Sequence, residues 1–154
     1  MATLYSNQKT KWSQNVPSEK IDTIDLVGRV RIAFADITLA SAQIGDVVEL
    51  VNLPNGARII DGYLTNAALG SSTTLSVGNA AYKNAAGTVV NSAAASYLAA
   101  TSTSSAARTD AFATIALGAG SVVNANEDGL PITATLAGGA ASGVVQISVR
   151  YIVD

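Results

Sequence analysis

Residues 132–153 read ITATLAGGAASGVVQISVRYIV and carry the clearest fold signal in the chain. Apolar and polar side chains alternate on both sides of a glycine-rich segment, Gly138–Gly143, which is the pattern of half-buried β-strands joined by a turn. The alternation predicts a β-hairpin, with one strand over 132–136 and the other over 145–153. We expect the carboxyl-terminal strand to be central in its sheet.

The first predicted strand of the chain changes its apolar face partway along. Val30, Ile32 and Phe34 share one face, whereas the apolar residues from Ile37 onward have the opposite parity. A strand with a period of two changes parity in this way when it contains a bulge or a bend. The sequence therefore predicts a bulge or a bend near residues 35–36.

Three further strands are predicted before the midpoint of the chain. Residues 46–53 are mostly apolar, which indicates burial on both faces. A turn follows at 54–56, where proline fixes the first central turn position and Asn-Gly tolerates positive φ. Alternating strands then resume over 58–65 and 73–77.

The segment between these strands and the hairpin mixes alanine with small polar residues. Ser92 is a good N-cap, and the alanine-rich residues 93–98 that follow predict a short helix. Residues 99–109 have low complexity and predict a loop, and strands are expected over 111–117 and 121–124. Several short strands with glycine-marked turns predict an all-β fold, a β-sandwich or jelly roll.

Charged residues are scarce in this chain. They make up 13% of its 154 residues, about half of the usual share. Between Asp61 and Arg108 the only charged residue is Lys83. A soluble monomer normally carries more surface charge, so we infer that much of this stretch lies against partner chains. The alternative is a neutral surface of Ser, Thr and Asn side chains.

The first 28 residues differ from the remainder. They are mainly polar and show no apolar period, which predicts an extended amino-terminal arm over 1–28 ahead of a β-sandwich domain over 29–154. Trp12 is the only tryptophan, and tryptophan is enriched at binding hot spots. The residues expected to contact a partner are Lys9, Lys11, Trp12 and Pro17. The alternative is that Trp12 packs against its own domain.

The sequence contains neither histidine nor cysteine, which excludes histidine-based triads, cysteine nucleophiles and the usual zinc sites. Lys83 has no Ser-Lys motif around it. Carboxylates for glycoside hydrolysis could come only from scattered positions outside the arm and early strands. Those positions are Asp61, Asp110, Glu127 and Asp128. We therefore expect that the protein is not an enzyme and needs no cofactor.

Residues 124–129 gather oxygen ligands in a loop that ends in glycine, as at the start of a calcium site. The spacing is not that of an EF-hand, and the alternative is an Asx-rich turn. A net charge of −2 without a basic cluster argues against binding to nucleic acid. The polar amino terminus lacks the apolar core of a signal peptide, and no apolar run is long enough to span a bilayer.

The segment RVRIAFADITLASAQIGDVVELVNLPNGARIIDGYL, which starts at Arg29, resembles one found in the head decoration (cement) proteins and other small virion proteins of tailed bacteriophages. The shared features are a bent strand, the run Asp46–Leu50, the turn at 53–57 and a second apolar strand. The carboxyl-terminal strand behind its glycine-rich turn is similar as well. The resemblance covers about residues 29–80 and 130–153.

This resemblance implies a jelly-roll or β-sandwich subunit, trimeric, that binds the major capsid protein on the outer capsid surface of the virion. Such a protein would assemble in the host cytoplasm and stabilise the head by adhesion. Alternatives are a receptor- or glycan-binding virion module, a tail or neck subunit, or a pilus-like secreted subunit. An aromatic-lined pocket would favour glycan binding, and the copy number per particle separates a head coat from a neck or tail.

Overall fold

The computed structural model describes residues 29–113 and 121–153, and these residues contain strands but no helix. The strands are β1 (Val30–Ala42), β2 (Val47–Leu53), β3 (Arg58–Asn66), β4 (Thr74–Asn79), β5 (Tyr82–Lys83), β6 (Val89–Val90), β7 (Ala93–Ser102), β8 (Ala107–Asp110), β9 (Ser121–Val122), β10 (Leu130–Ala137) and β11 (Ala141–Ile152). The strands predicted over 46–53, 58–65 and 73–77 are confirmed to within two residues at each end.

Nine of these strands form two antiparallel sheets, one of five strands and one of four. The first sheet has the order β1-β11-β3-β8, with β9 also beside β3, and the second has the order β2-β10-β4-β7. The chain crosses repeatedly from one sheet to the other, so neighbours in sequence are seldom neighbours in a sheet. Two four-stranded paths connected in this way, with the short β9 added to the first, form a jelly roll. The predicted fold class is confirmed.

The core lies between the two sheets and is filled by aliphatic side chains. Every second residue of the central strands points inward, as the pleat of a strand requires. The largest fully buried apolar side chains are Leu53, Ile59, Leu64, Leu75, Val77, Ile132, Leu136, Val145, Ile147 and Val149. The prediction that the last strand is central is confirmed, because β11 lies between β1 and β3.

The predicted hairpin around residues 138–143 is wrong. β10 pairs with β2 and β4, whereas β11 pairs with β1 and β3. The glycine-rich segment therefore carries the chain from one sheet to the other. Gly138 has a φ of 82°, and a Cβ there would overlap the carbonyl oxygen of Ser72. Glycine is needed because the backbone of a neighbouring loop passes directly against it.

The predicted bulge at residues 35–36 is wrong as well. β1 keeps one register with β11 from Val30 to Leu39, and its irregularity comes only between Leu39 and Ala42. The odd-numbered side chains of β1 face the core, where small alanines precede Ile37 and Leu39. The even-numbered face therefore points away from the core from Val30 to Thr38.

The predicted helix over 93–98 is a strand, the first part of β7. Alanine favours a helix locally, but pairing of Ala93 and Leu98 with β4 fixes both ends of the segment in a strand and outweighs this propensity. β7 runs on to Ser102 and β8 starts at Ala107, so only residues 103–106 of the predicted loop over 99–109 lie between strands. Of the strand expected over 111–117, residues 111–113 are not in a strand. The rest of that segment lies outside the described residues.

Candidate assembly surfaces

An exposed stripe of apolar side chains runs along the outer face of β1. Val30, Ile32 and Phe34 are 56%, 65% and 59% exposed, because they have the parity that points away from the core. Contiguous large apolar side chains on a protein surface mark contact sites for other molecules. We call these three residues the β1 stripe.

The backbone edge of β1 is long and regular. Among the described residues, β1 pairs on one side only, with β11, and that ladder is unbroken from Val30 to Leu39. Edge strands usually carry prolines, bulges or several charges that prevent another strand from adding. Over residues 30–39 the edge has two charged residues, Arg31 and Asp36, and neither a proline nor a bulge. This edge can accept a further strand.

Two arginines beside the β1 stripe, Arg150 and Arg108, are already engaged. Arg150 donates from Nε to Oδ1 of Asp61 at 2.6 Å and from Nη2 to Oδ2. The hydrogen bond and the charge of Asp61 raise the pKa of Arg150. The guanidinium of Arg108 lies 3.9 Å from the ring centre of Tyr63. Together with Ile32 these groups border a shallow hollow of about 340 Å³. Paired charges are less costly to cover than free ones.

The structure divides the charge-poor stretch between Asp61 and Arg108 into two parts. Residues 62–79 are mostly buried in the core of the protein itself, which accounts for their lack of charge. Residues 85–107 are mostly exposed and uncharged, with small side chains predominating. Contact with partner chains stays a prediction, and it now applies to residues 85–107.

Four loops meet at one end of the sandwich, which we call the neutral end. They are residues 43–46, 67–73, 103–106 and 138–140. Asp46 is their only charged residue, and its Oδ2 accepts a 2.7 Å hydrogen bond from the backbone N–H of Gln43. Ile44 lies beside it and is largely exposed. Another chain could cover this end without removing many ions from water.

Hydrogen bonds hold the loops of the neutral end together. The backbone N–H of Leu69 donates to the carbonyl of Thr103 at 2.9 Å, and Ser142 donates to the carbonyl of Leu69 at 3.0 Å. The hydroxyl of Thr103 donates to that of Thr73 at 3.0 Å in a buried contact, and Thr73 donates to the carbonyl of Gly70 at 2.8 Å. Such a preorganised surface loses little conformational entropy on binding.

A cleft of about 450 Å³ lies at the opposite end of the sandwich. Glu49, Lys83 and Asp128 are among the residues that line it, and Tyr82 is its single aromatic residue. Lys83 and Asp128, which were both considered from the sequence, line this cleft. Glu49 lines it as well, although no sequence feature had given a reason to select it. A cleft with one tyrosine is not the aromatic-lined pocket that would favour glycan binding.

The oxygen-rich segment over 124–129 closes on itself. The backbone N–H of Asp128 donates to Oδ1 of Asn126 at 3.2 Å, and Nδ2 of Asn126 donates to Oδ2 of Asp128 at 2.7 Å. Oδ1 of Asn124 accepts a 3.2 Å hydrogen bond from the backbone of Ala85. The segment forms the Asx turn that was the alternative to a calcium site. The described part of the chain has no cluster of three or more Asp, Glu, His or Cys residues suited to a metal ion.

The carboxylates considered for hydrolysis lie in different places. Asp61 and Asp110 lie on strands of the first sheet, where Asp61 is bound by an arginine and Asp110 accepts a 3.0 Å hydrogen bond from a backbone N–H. Glu127 and Asp128 belong to the loop before β10. Lys83 is an exposed residue of β5. The candidate carboxylates therefore belong to separate parts of the fold, on strands of the first sheet and in the loop before β10.

The arm over 1–28, with Lys9, Lys11, Trp12 and Pro17, lies outside the described residues. Within residues 29–113 and 121–153, no helix is long and apolar enough to cross a membrane. Sequence reasoning missed both candidate surfaces. The parity of the β1 stripe was visible but was interpreted as a bulge, and the neutral end joins loops that are far apart in sequence.

No protein-family model and no curated protein matches the chain. Solved structures do match. A chain of the Ralstonia phage GP4 capsid has 24% identity and a TM-score of 0.61, over 84% of this chain and 88% of that one. A chain of the cyanophage Pam1 capsid asymmetric unit has 20% identity and a TM-score of 0.58, over 82% of this chain and 86% of that one. These neighbours share the fold, and each has nearly the same length as this chain.

Proposed function

We propose that the chain is a structural protein of a bacteriophage virion and acts as a decoration, or cement, subunit on the outer surface of the head. The observation that carries this proposal is the likeness in fold to chains of two phage capsids, over more than four-fifths of each chain. Because those chains are about as long as this one, the likeness is to a small subunit rather than to one domain of a much larger protein.

The proposed action is adhesive and requires no catalysis. The neutral end and the exposed part of residues 85–107 present small uncharged side chains, which can be covered by another chain with little loss of hydration. Contacts of this kind are individually modest. Repeated around a particle, and linked within one oligomer, they add by avidity and hold neighbouring shell proteins together.

The proposed partners are further copies of this chain, in a trimer, and the major capsid protein. We assign the trimer contact to the neutral end, whose loops are held in place before binding. The arm over 1–28 would lie across the major capsid protein. Its proposed contact residues are Lys9, Lys11, Trp12 and Pro17. Assembly would take place in the host cytoplasm.

The test is to mix the purified full-length protein with undecorated heads of the phage that encodes it, and to measure co-sedimentation and copy number. We expect saturation at many copies per head. Trp12→Ala should lower the affinity by about tenfold or more, as expected for a hot-spot residue, and removal of residues 1–28 should abolish binding. Gln14→Ala serves as the control within the arm.

Absence of binding to heads would contradict the decoration role, and a few copies per particle would indicate a neck or tail subunit instead. Unchanged occupancy after removal of residues 1–28 would refute the role of the arm. Light scattering on the unmodified protein tests the trimer separately, and a stable monomer that binds no heads would contradict the whole proposal.

A further inference from the structure

We propose that the edge of β1 pairs with β1 of a second copy of the chain, so that the first sheets of two subunits join across a two-fold axis. This contact uses neither the neutral end nor the arm. It is independent of the proposed role on a phage head, because it follows from the side chains and backbone of β1 alone.

The backbone of β1 permits this pairing. Its ladder with β11 is regular from Val30 to Leu39, so the opposite edge presents regularly spaced N–H and C=O groups. A two-fold axis perpendicular to the sheet brings identical strands together antiparallel and keeps both outer faces on one side. The stripes of the two copies then lie on the same face of one continuous sheet.

The side chains select one register for this pairing. If the axis passes through Ile32, this residue faces Ile32 of the second copy, and Val30 faces Phe34 of the second copy. Directly opposed side chains on one face of a sheet are in contact. All the side chains of both β1 stripes, which are more than half exposed in the single chain, then form one apolar patch.

The inner face agrees with the same register. Arg31 then lies opposite Ala33 of the second copy, and Arg29 lies opposite Ala35. Ala33 and Ala35 are half-buried and small, so they leave room for the long arginine side chains, whose charged ends can still reach water.

Neighbouring registers are less favourable. With the axis at Arg31, the two Arg31 side chains face each other, and like charges directly opposed destabilise a sheet. With the axis at Ala33, Val30 faces the carboxylate of Asp36 of the second copy and has no apolar partner. Only the register centred on Ile32 opposes apolar residues throughout the stripe and places no two like charges directly opposite each other.

The absence of cysteine makes this register directly testable. Full-length Val30→Cys and Phe34→Cys variants, one of them isotopically labelled, are mixed and treated with a short bis-maleimide. We expect the mixed product to exceed the self-linked product of either variant by at least about fivefold, since pairing raises the effective concentration of opposed thiols. Ile32→Cys should link to itself.

Thr38→Cys is the matched control, because it has the same parity on β1 but lies away from the axis and should not link to itself. Adding Ile32→Lys to the mixed pair should reduce its cross-linking by at least about fivefold without changing the thermal unfolding of the subunit. Equal self-linking of Ile32→Cys and Thr38→Cys would overturn the proposal. So would a mixed yield no higher than that of each variant alone, as expected if the arm of the same chain covered β1.

Discussion

β1 and β7 are both edge strands of the jelly roll, yet they differ in whether another strand can add to them. β1 has a regular ladder and exposes the β1 stripe. β7 pairs with β4 through two irregularities, and residues 94–97 bulge out opposite Gly78. A bulged strand cannot continue a regular ladder. The bulged backbone of β7 therefore prevents another strand from adding, whereas β1 has no bulge from Val30 to Leu39 that would prevent it.

The bulge of β7 is held in place by contacts from several elements. A Cβ on Gly78 would overlap the carbonyl oxygen of Ala93, so β7 passes directly over this glycine. The hydroxyl of Ser96 donates to Oδ1 of Asn79 at 2.8 Å. The ring of Tyr97 lies against that of Phe112, with centroids 4.9 Å apart. These contacts are tertiary, and they determine the form of this edge.

Two phenylalanines provide the strongest test of the difference between the edges. Phe112 is buried and supports β7, so Phe112→Ala should lower the free energy of unfolding by about 3–5 kcal/mol. Phe34 is exposed on β1, and Phe34→Ala should change the stability of the dilute subunit by no more than about 0.5 kcal/mol. Urea unfolding at low protein concentration measures both. Similar losses for the two variants would contradict the assignment of an exposed stripe.

Gly78→Ala tests whether close passage of the backbone shapes β7. The added methyl group has no space beneath Ala93, and the strand must shift to accommodate it. We expect a loss of about 1–3 kcal/mol in the free energy of unfolding, as for other overpacked sites. Ala100→Ser, at an exposed position of the same strand, should remain within about 0.5 kcal/mol. If urea unfolding gave equal results for both variants, β7 would not depend on this approach.

The smallest expected effect is a dependence of stability on pH at Tyr97. Burial, followed by the nearby Tyr82, raises the pKa of Tyr97 to about 12, compared with 10.0 for a free tyrosine. The unfolded chain therefore ionises first, so the stabilisation is intact below pH 10 and is lost as the pH rises towards 12. Allowing for its partial exposure, we expect a loss of about 1 kcal/mol over this range.

Urea unfolding at about pH 9 and about pH 11 measures this effect, since the two values lie on either side of the free tyrosine pKa. Tyr97→Phe removes the ionisable group while keeping the ring against Phe112, so its stability should fall less over the same interval. An identical fall in the variant and the unmodified protein would show that other groups cause the loss.

Several strands could be predicted from the sequence, because alternation of apolar and polar side chains is a local consequence of the pleat. The strands β2, β3 and β4 have nearly the predicted bounds, and β11 ends nearly as predicted but begins earlier, at Ala141. Both the correct and the wrong predictions used local sequence features alone, and for the alanine-rich residues 93–98 these features gave the wrong result. Local propensity favours a helix there, and only tertiary contacts with β4 and Phe112 override it.

The candidate surfaces were harder to predict. The parity of Val30, Ile32 and Phe34 was visible, but a parity change fits a bulge as well as an exposed apolar face. The alternatives separate only when the core is seen to lie on the side of Leu39 and the small alanines before it. The neutral end could not be predicted at all, because its loops come together only through the crossing of the chain between two sheets.

The sequence by itself determined that this protein is built from strands, that its last strand is central, and that it contains neither histidine nor cysteine. Only the tertiary structure decided which strands pair. The segment around Gly138 looks like a hairpin turn, yet it joins two sheets. The strands on its two sides can bury their apolar faces whether they pair with each other or with other strands, so the local pattern does not decide the pairing. That choice depends on how all the inward faces fill one core, and it also leaves the β1 stripe facing outward.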